Sequence, residues 1–187
     1  MTAASKVLNF LACPFDALGS TMATYGAQNV GASRYDRLNK GIYSASLMGF
    51  GYSLLAFGVA WFFGRSLTGL FVSGGSSAQL VELAQTYMIT NVLAYPLLTL
   101  VNVVRFMIQG MGFSMFAILA GVMEMAARSL AGMFLVPALG YFGAALGSPL
   151  AWVAADLFLV PAYFRCRRVL MSQSHHLHVM DEIAESN

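Results

Sequence analysis

The chain has 187 residues, 58% of them hydrophobic and 10% charged, with a formal net charge of +2 and a mean hydropathy of +0.69. Soluble domains carry about 25% charged residues, so a water-soluble globule is excluded, and the small net charge leaves no footprint for nucleic acid. Membrane spans need about 20 apolar residues each, which gives this length room for five or six.

The first span covers about residues 5–30 and is interrupted by Pro14 and Asp16. A polar stretch follows from Gly31 to Lys40, carrying Arg34, Arg37 and Lys40. The second span, about 41–64, has no charge and ends at Arg65; the Ser73-Gly-Gly-Ser-Ser77 stretch beyond it reads as a loop. A third span covers about 82–109, with Pro96 near its middle and Arg105 near its end, and Gly110-Met-Gly112 is a tight break. The fourth, about 113–136, contains Glu124 and Arg128 and stops at Pro137. The fifth, about 141–164, contains Pro149 and Asp156.

These runs exceed 20 residues without alternation, whereas barrel strands are about ten residues long and alternate. Mid-span prolines are compatible with membrane helices whose neighbours satisfy the freed backbone groups. The expected fold is therefore all-α, a polytopic bundle of five transmembrane helices over residues 1–168, followed by a polar tail at 169–187.

Basic residues set the expected orientation. Arg34, Arg37 and Lys40 follow the first span, and Arg165, Arg167 and Arg168 follow the fifth. Positive-inside counting puts that loop and the C-terminal tail in the cytoplasm of a multi-pass cell-membrane protein. It also puts the N-terminus outside with only six residues ahead of the first apolar run, an unusual start that leads us to expect further chain before Met1.

Four ionisable residues lie well inside spans: Asp16, Glu124, Arg128 and Asp156. Each costs about 2.5–3.5 kcal/mol at a helix centre, which makes each a candidate for binding an ion or substrate. Glu124 and Arg128 are spaced i, i+4 and share one helix face; they either neutralise each other and lock the helix or contact the substrate or coupling ion. Asp16 shares a polar stripe with Asn9, Ser20 and Thr24, which faces a cavity or another helix rather than lipid. Asp156 has no basic partner near it in sequence. On the third span Asn91, Tyr95, Thr99 and Asn102 step by four, four and three to make another polar face, open either to interhelical hydrogen bonding or to substrate. Arg105 is placed to snorkel toward the interface, and Gly143-xxx-Gly147 permits close helix approach.

Other chemistry has no residues to stand on. Cys13 and Cys166 are far apart, and neither CxxC nor metal-ligand spacing occurs, so no metal and no cofactor is expected. His175-His-Leu-His178 reads as part of a solvated tail. No Ser/His/Asp set, Walker loop or dinucleotide fingerprint appears, so an enzyme is not expected. The Arg165-Cys-Arg-Arg168 run faces membrane lipid headgroups.

Four short motifs carry a family resemblance. Gln28-Asn29-Val-Gly31-Ala32, followed by Arg34 and Arg37, resembles the Q-N-x-G-A motif of multidrug and toxic compound extrusion (MATE) transporters. Arg105 through Gly110-Met-Gly112 resembles the family's R-x-x-x-x-G-x-G, Glu124-x-x-x-Arg128 its E-x-x-x-R, and Gly140-x-x-Gly143 followed by Trp152 its G-x-x-G turn and last helix. In order, they are similar to helices eight to twelve of a twelve-helix, two-lobe transporter.

The resemblance implies the C-terminal lobe of an exporter of small organic or cationic substrates. It implies alternating access about a midplane site, exchange for protons or sodium ions, and an N-terminal lobe or another transporter half as partner. The acids that bind the coupling ion in one family branch lie on helices seven and ten; here the tenth-helix equivalent carries Thr90 and Asn91 instead. A lipid-linked oligosaccharide flippase of the same superfamily and a non-transporting membrane scaffold are the alternative expectations.

Overall fold

The computed structural model describes residues 2–71 and 78–185, with side chains described for 4–64, 66 and 81–173. The expected loop at Ser73–Ser77 lies outside the described residues, as do the side chains of His175, His176 and His178.

Helices account for the described elements: α1 (Thr2–Gly31), α2 (Asp36–Phe71), α3 (Ala78–Leu93), α4 (Tyr95–Gly110), α5 (Ser114–Leu130), a π-helical turn (Ala131–Leu135), α6 (Val136–Leu139) and α7 (Tyr141–Glu185). There is no strand among the described residues. Asp36–Gly64, Ser114–Leu139 and Tyr141–Gln173 are each long and apolar enough to cross a membrane. Val81–Leu93 with Tyr95–Gly110 makes a fourth span if the bent pair counts as one. The first expected span, α1, has 30 residues and is not among these.

Residues 82–109 are not one continuous helix. Pro96 stands in the first turn of α4 and lacks the N–H that would reach back to the Val92 carbonyl, so the ladder opens there. Ala94 takes φ −90° and ψ 3° at the join, and the two helices meet at 47°. The other proline-bearing segments adapt differently. Pro137 is absorbed in the short α6 after the π turn, while Pro149 and Pro161 sit inside α7.

The core is centred on α4. Its Tyr95, Thr99, Val101, Val103, Met107 and Ile108 are each at most 2% exposed, covered by α1, α2, α5 and α7. Burial of each such apolar side chain is worth about 1.5–3 kcal/mol against water, although among membrane helices packing and hydrogen bonding replace that driving force. On the outside, Leu54, Phe62 and Leu157 are more than 70% exposed, the surface expected where a bundle meets lipid.

α1 and α4 run parallel. At one end the Tyr95 hydroxyl donates to the Leu8 carbonyl at 2.9 Å. Beside it the Tyr52 hydroxyl donates to the Leu11 carbonyl at 3.0 Å. These two donors flank the stretch that Pro14 loosens by leaving the Phe10 carbonyl without its i+4 partner. At the other end Gly110 lies directly against the backbone of Ala23, with no room for a Cβ.

The chain leaves both helices through the same kind of turn. After α1, the Arg34 N–H reaches the Asn29 carbonyl (2.8 Å) and the Ser33 N–H the Val30 carbonyl (3.0 Å). After α4, the Phe113 N–H reaches the Ile108 carbonyl (3.1 Å) and the Gly112 N–H the Gln109 carbonyl (3.0 Å). Both are Schellman caps, which place one residue in the left-handed region. That residue is Gly112 at φ +93° in one and Ser33 at φ +55° in the other. Two sequence motifs, one from Gln28 and one ending at Gly112, are thus paired helix stops at one end of the bundle.

The two basic clusters lie at that same end. The Tyr163 hydroxyl donates to Asn39 Oδ1 at 2.7 Å, tying α7 just before Arg165, Arg167 and Arg168 to the first turn of α2, which holds Arg37 and Lys40.

Candidate functional site

The bend at Ala94 lies between two residues, Asn91 and Tyr95, that line a cavity. This cavity, of about 200 Å³, lies between α1, α3, α4, α5 and α7 and is lined by Asn9, Tyr87, Asn91, Tyr95, Arg128, Ser148 and Trp152 together with Ser5, Leu8, Ala12 and Leu98. Closed small-molecule pockets measure about 300–1,000 Å³, so this space holds part of such a molecule. Its walls mix amide, hydroxyl and aromatic groups with one guanidinium, a composition suited to an organic molecule with a few polar points.

Several lining groups are held by backbone. Asn91, 3% exposed, donates to the Tyr87 carbonyl at 2.9 Å and to the Ala145 carbonyl of α7 at 3.4 Å. Its amide N–H groups are therefore engaged within the bundle. Tyr95 is fixed by its bond to Leu8, by an edge contact with Phe15 (5.2 Å between centroids) and by Trp152 at 6.2 Å. One turn further, Thr99 is fully buried, bonded to the Tyr95 carbonyl and 3.4 Å from the Ser53 hydroxyl. The polar face stepping along the third span thus divides: Asn91 and Tyr95 reach the cavity, while Thr99 and Asn102 face into the core.

Beside the cavity is a network of charges. Glu124 on α5 accepts a hydrogen bond from Arg105 on α4. Its other oxygen lies 3.6 Å from Arg128, an ion pair beyond hydrogen-bonding distance. Arg105 therefore has a carboxylate partner within the bundle, in place of the snorkelling position its sequence location suggested. Arg128 belongs to both features, since its side chain is 51% exposed and lines the cavity.

Asp156 on α7 is within electrostatic range of Glu124 and Arg105. It is 8% exposed, and neither carboxylate oxygen has a hydrogen-bond partner. Arg105 Nε and Asn102 Nδ2 are likewise buried without partners. Unpaired buried polar atoms of this kind are uncommon and mark strained or functional positions.

Asp16 is placed apart from this network. It is exposed on α1, as are Asn9, Cys13, Ser20 and Thr24. Along that stripe Cys13 bonds back to the Asn9 carbonyl, Ser20 to Asp16 and Thr24 to Ser20. These groups are satisfied within α1, and the stripe itself is left facing outward. Asn9 stands at the point where it enters the cavity.

The MatE family model matches residues 1–126. The chain belongs to the MATE family. No curated protein and no solved structure matches it. The apolar helices and the family together make it a membrane protein and a MATE-superfamily transporter.

Within this MATE chain the matched region includes the Gln28–Ala32 stretch, Arg105, Gly110, Gly112 and Glu124, and ends before Arg128. Asn29 is buried and donates to the Tyr25 carbonyl at 2.8 Å, while its own carbonyl takes the capping N–H of Arg34. Gln28, Gly31 and Ala32 are exposed around it. Gln28–Ala32 and Gly110–Gly112 thus build helix ends away from the cavity, Arg105 and Glu124 pair beside it, and Arg128 and Trp152 line it. Of the candidate binding residues, Asn91, Tyr95 and Arg128 meet at the cavity, Glu124 and Asp156 form the charge network behind it, and Asp16 lies on the open face. Tyr87, Ser148 and Trp152 were not singled out for binding. Tyr87 could have been found by stepping back four residues from Asn91 along the same helix face. Among the described residues no group of three His, Cys, Asp or Glu side chains could hold a metal ion.

Proposed function

We propose that the chain forms the C-terminal lobe of a MATE-type secondary exporter, equivalent to helices eight to twelve, which exchanges an organic or cationic substrate for protons or sodium ions by alternating access. One observation carries this reading: the polar stripe of α1 is exposed and runs into the cavity at Asn9. A membrane helix keeps such a stripe away from lipid. The small cavity and the outward stripe therefore suit one wall of a larger cleft, whose other wall is an N-terminal lobe. Sites between two rocking halves near the midplane are the general arrangement in such transporters.

In this reading Trp152 and Tyr95 supply aromatic surface for the substrate, and Tyr87, Ser148 and Asn9 supply its polar contacts. Glu124, Asp156 and Asp16 are the acids available for the coupling ion. The two basic clusters mark the cytoplasmic end, with the C-terminus on that side and the N-terminus opposite.

The guanidinium of Arg128 is the observation favouring the alternative within the superfamily, a flippase for an anionic lipid-linked oligosaccharide. The reading is tested in cells expressing the full gene, by efflux of a fluorescent organic cation. Efflux that falls at least tenfold with Trp152→Ala supports the exporter. Efflux that is absent from the wild type, or is untouched by that change, contradicts it.

A further inference from the structure

A second groove lies elsewhere on the bundle. It has a volume of about 300 Å³ and lies between α2, α4 and α7. Its walls are mainly Ile42, Leu100, Val104, Val160 and Phe164, with Tyr43 and Tyr163 beside them, and the Ser46 hydroxyl lies within it, buried and unpartnered. Where Tyr163 and Asn39 line the groove, the Tyr163 hydroxyl donates to Asn39.

Asn39 and Tyr163 are also where the charges gather in the sequence. Residues 31–40 and 165–168 hold six bases, Arg34, Arg37, Lys40, Arg165, Arg167 and Arg168, against the acid Asp36. Val160, Tyr163 and Phe164 define one face of α7, and the next residue on that face is Arg167, at i+3 from Phe164 and i+4 from Tyr163. Arg167 lies within electrostatic range of Tyr163, and its Nε is buried without a partner. The lining of this mainly apolar slot thus reaches Tyr163 and Phe164, and the next residue on that helix face carries a guanidinium N–H without a partner.

We propose that this groove binds an anionic glycerophospholipid, one acyl chain lying along Ile42, Val104 and Val160 and the phosphate accepting from Arg167, with Lys40 and Arg168 beside it. The chemistry is complementary at both ends. Hydrocarbon fills a slot whose walls are apolar, and the phosphate supplies the acceptor that Arg167 lacks. Basic pockets between membrane helices bind anionic headgroups in this way. A zwitterionic lipid brings the same chains but no net negative charge, so it occupies the groove less well.

The test is native mass spectrometry of the full chain released from detergent micelles containing defined lipid. Phosphatidylglycerol is predicted to be retained over phosphatidylcholine. Arg167→Gln is predicted to lower phosphatidylglycerol retention about fivefold, the worth of one base near a headgroup, and to lower phosphatidylcholine retention less. Val160→Trp, at a position 39% exposed and so tolerant of a larger side chain, fills the slot and removes the retention of phosphatidylglycerol even though every base is kept. Equal retention of the two lipids, or a preference unmoved by both variants, overturns the proposal. So does displacement of the lipid by inorganic phosphate alone. A dimer that Val160→Trp dissociates overturns it as well, since the occupant would then be a second copy.

Discussion

Arg105 and Glu124 form an ion pair across the turn at Gly112, joining α4 to α5 over a separation of 19 residues. The i, i+4 neighbour Arg128 is the looser partner, at 3.6 Å and half exposed. A helix-periodicity argument selects Arg128, and the fold selects Arg105, because the hairpin between α4 and α5 returns Glu124 to the level of the arginine.

Stability should therefore divide unequally between the two arginines. Glu124→Gln leaves the partly buried Arg105 without its carboxylate and is expected to cost about 2–3 kcal/mol. Arg128→Gln removes a half-exposed, non-hydrogen-bonded charge and is expected to cost less than about 1 kcal/mol. Thermal unfolding of both variants in detergent checks this, and a double-mutant cycle should give Arg105 the larger coupling to Glu124.

Asp156 should respond in the opposite direction. A buried carboxylate with both oxygens unpartnered is a cost to the fold, so Asp156→Val is expected to stabilise the bundle by about 1–2 kcal/mol. If Asp156 serves the coupling ion, the same variant loses substrate exchange while gaining stability, the usual trade-off at a functional site. Unfolding and exchange measured on one preparation check both expectations.

The two helix caps make a matched pair of experiments. Ser33 holds φ +55° without being glycine, a conformation costing a side-chain-bearing residue about 1–2 kcal/mol. Ser33→Gly is expected to raise stability by about 0.5–1 kcal/mol, part of the relief being offset by the greater freedom of the unfolded glycine. Gly112→Ala, at φ +93° in open space, should lose about 1–2 kcal/mol through φ alone.

Gly110→Ala acts by a different route. Its new Cβ runs into the Ala23 backbone, which cannot rotate away as a flexible side chain can. Separating α1 from α4 there is expected to cost about 1–3 kcal/mol, and the loss should exceed that of Gly121→Ala, where a Cβ meets nothing. Unfolding midpoints of the two variants provide the comparison.

Much of the helical layout could be read in the sequence because membrane helices are long, apolar and punctuated by charge. The turns at Ala32–Tyr35 and Met111–Phe113 sit where the polar stretch and the Gly-Met-Gly break predict them. The break at Ala94 was obscured by a polar face that keeps its helical spacing from Asn91 through Tyr95 to Thr99; the pattern continues although the hydrogen-bond ladder does not. The candidate site was legible only in part for a related reason. Periodicity shows which residues share a face of one helix, and so it paired Glu124 with Arg128. It carries no information about Arg105, or about Asp156 on α7, whose proximity to Glu124 depends on how three helices pack. The sequence puts Asp16 on a polar stripe, and that the stripe faces outward emerges only once α1 is docked on α4.

The central claim is that the exposed stripe of α1 lines an aqueous cleft rather than meeting lipid. It is tested most directly by thiol accessibility of the full protein in membranes, starting from a Cys13→Ser, Cys166→Ala background. Asp16→Cys and, as the lipid-facing control, Leu54→Cys (75% exposed in wild type) are each treated with a membrane-impermeant maleimide. The account predicts rapid labelling at position 16 and none at position 54. Equal protection at both positions would contradict it.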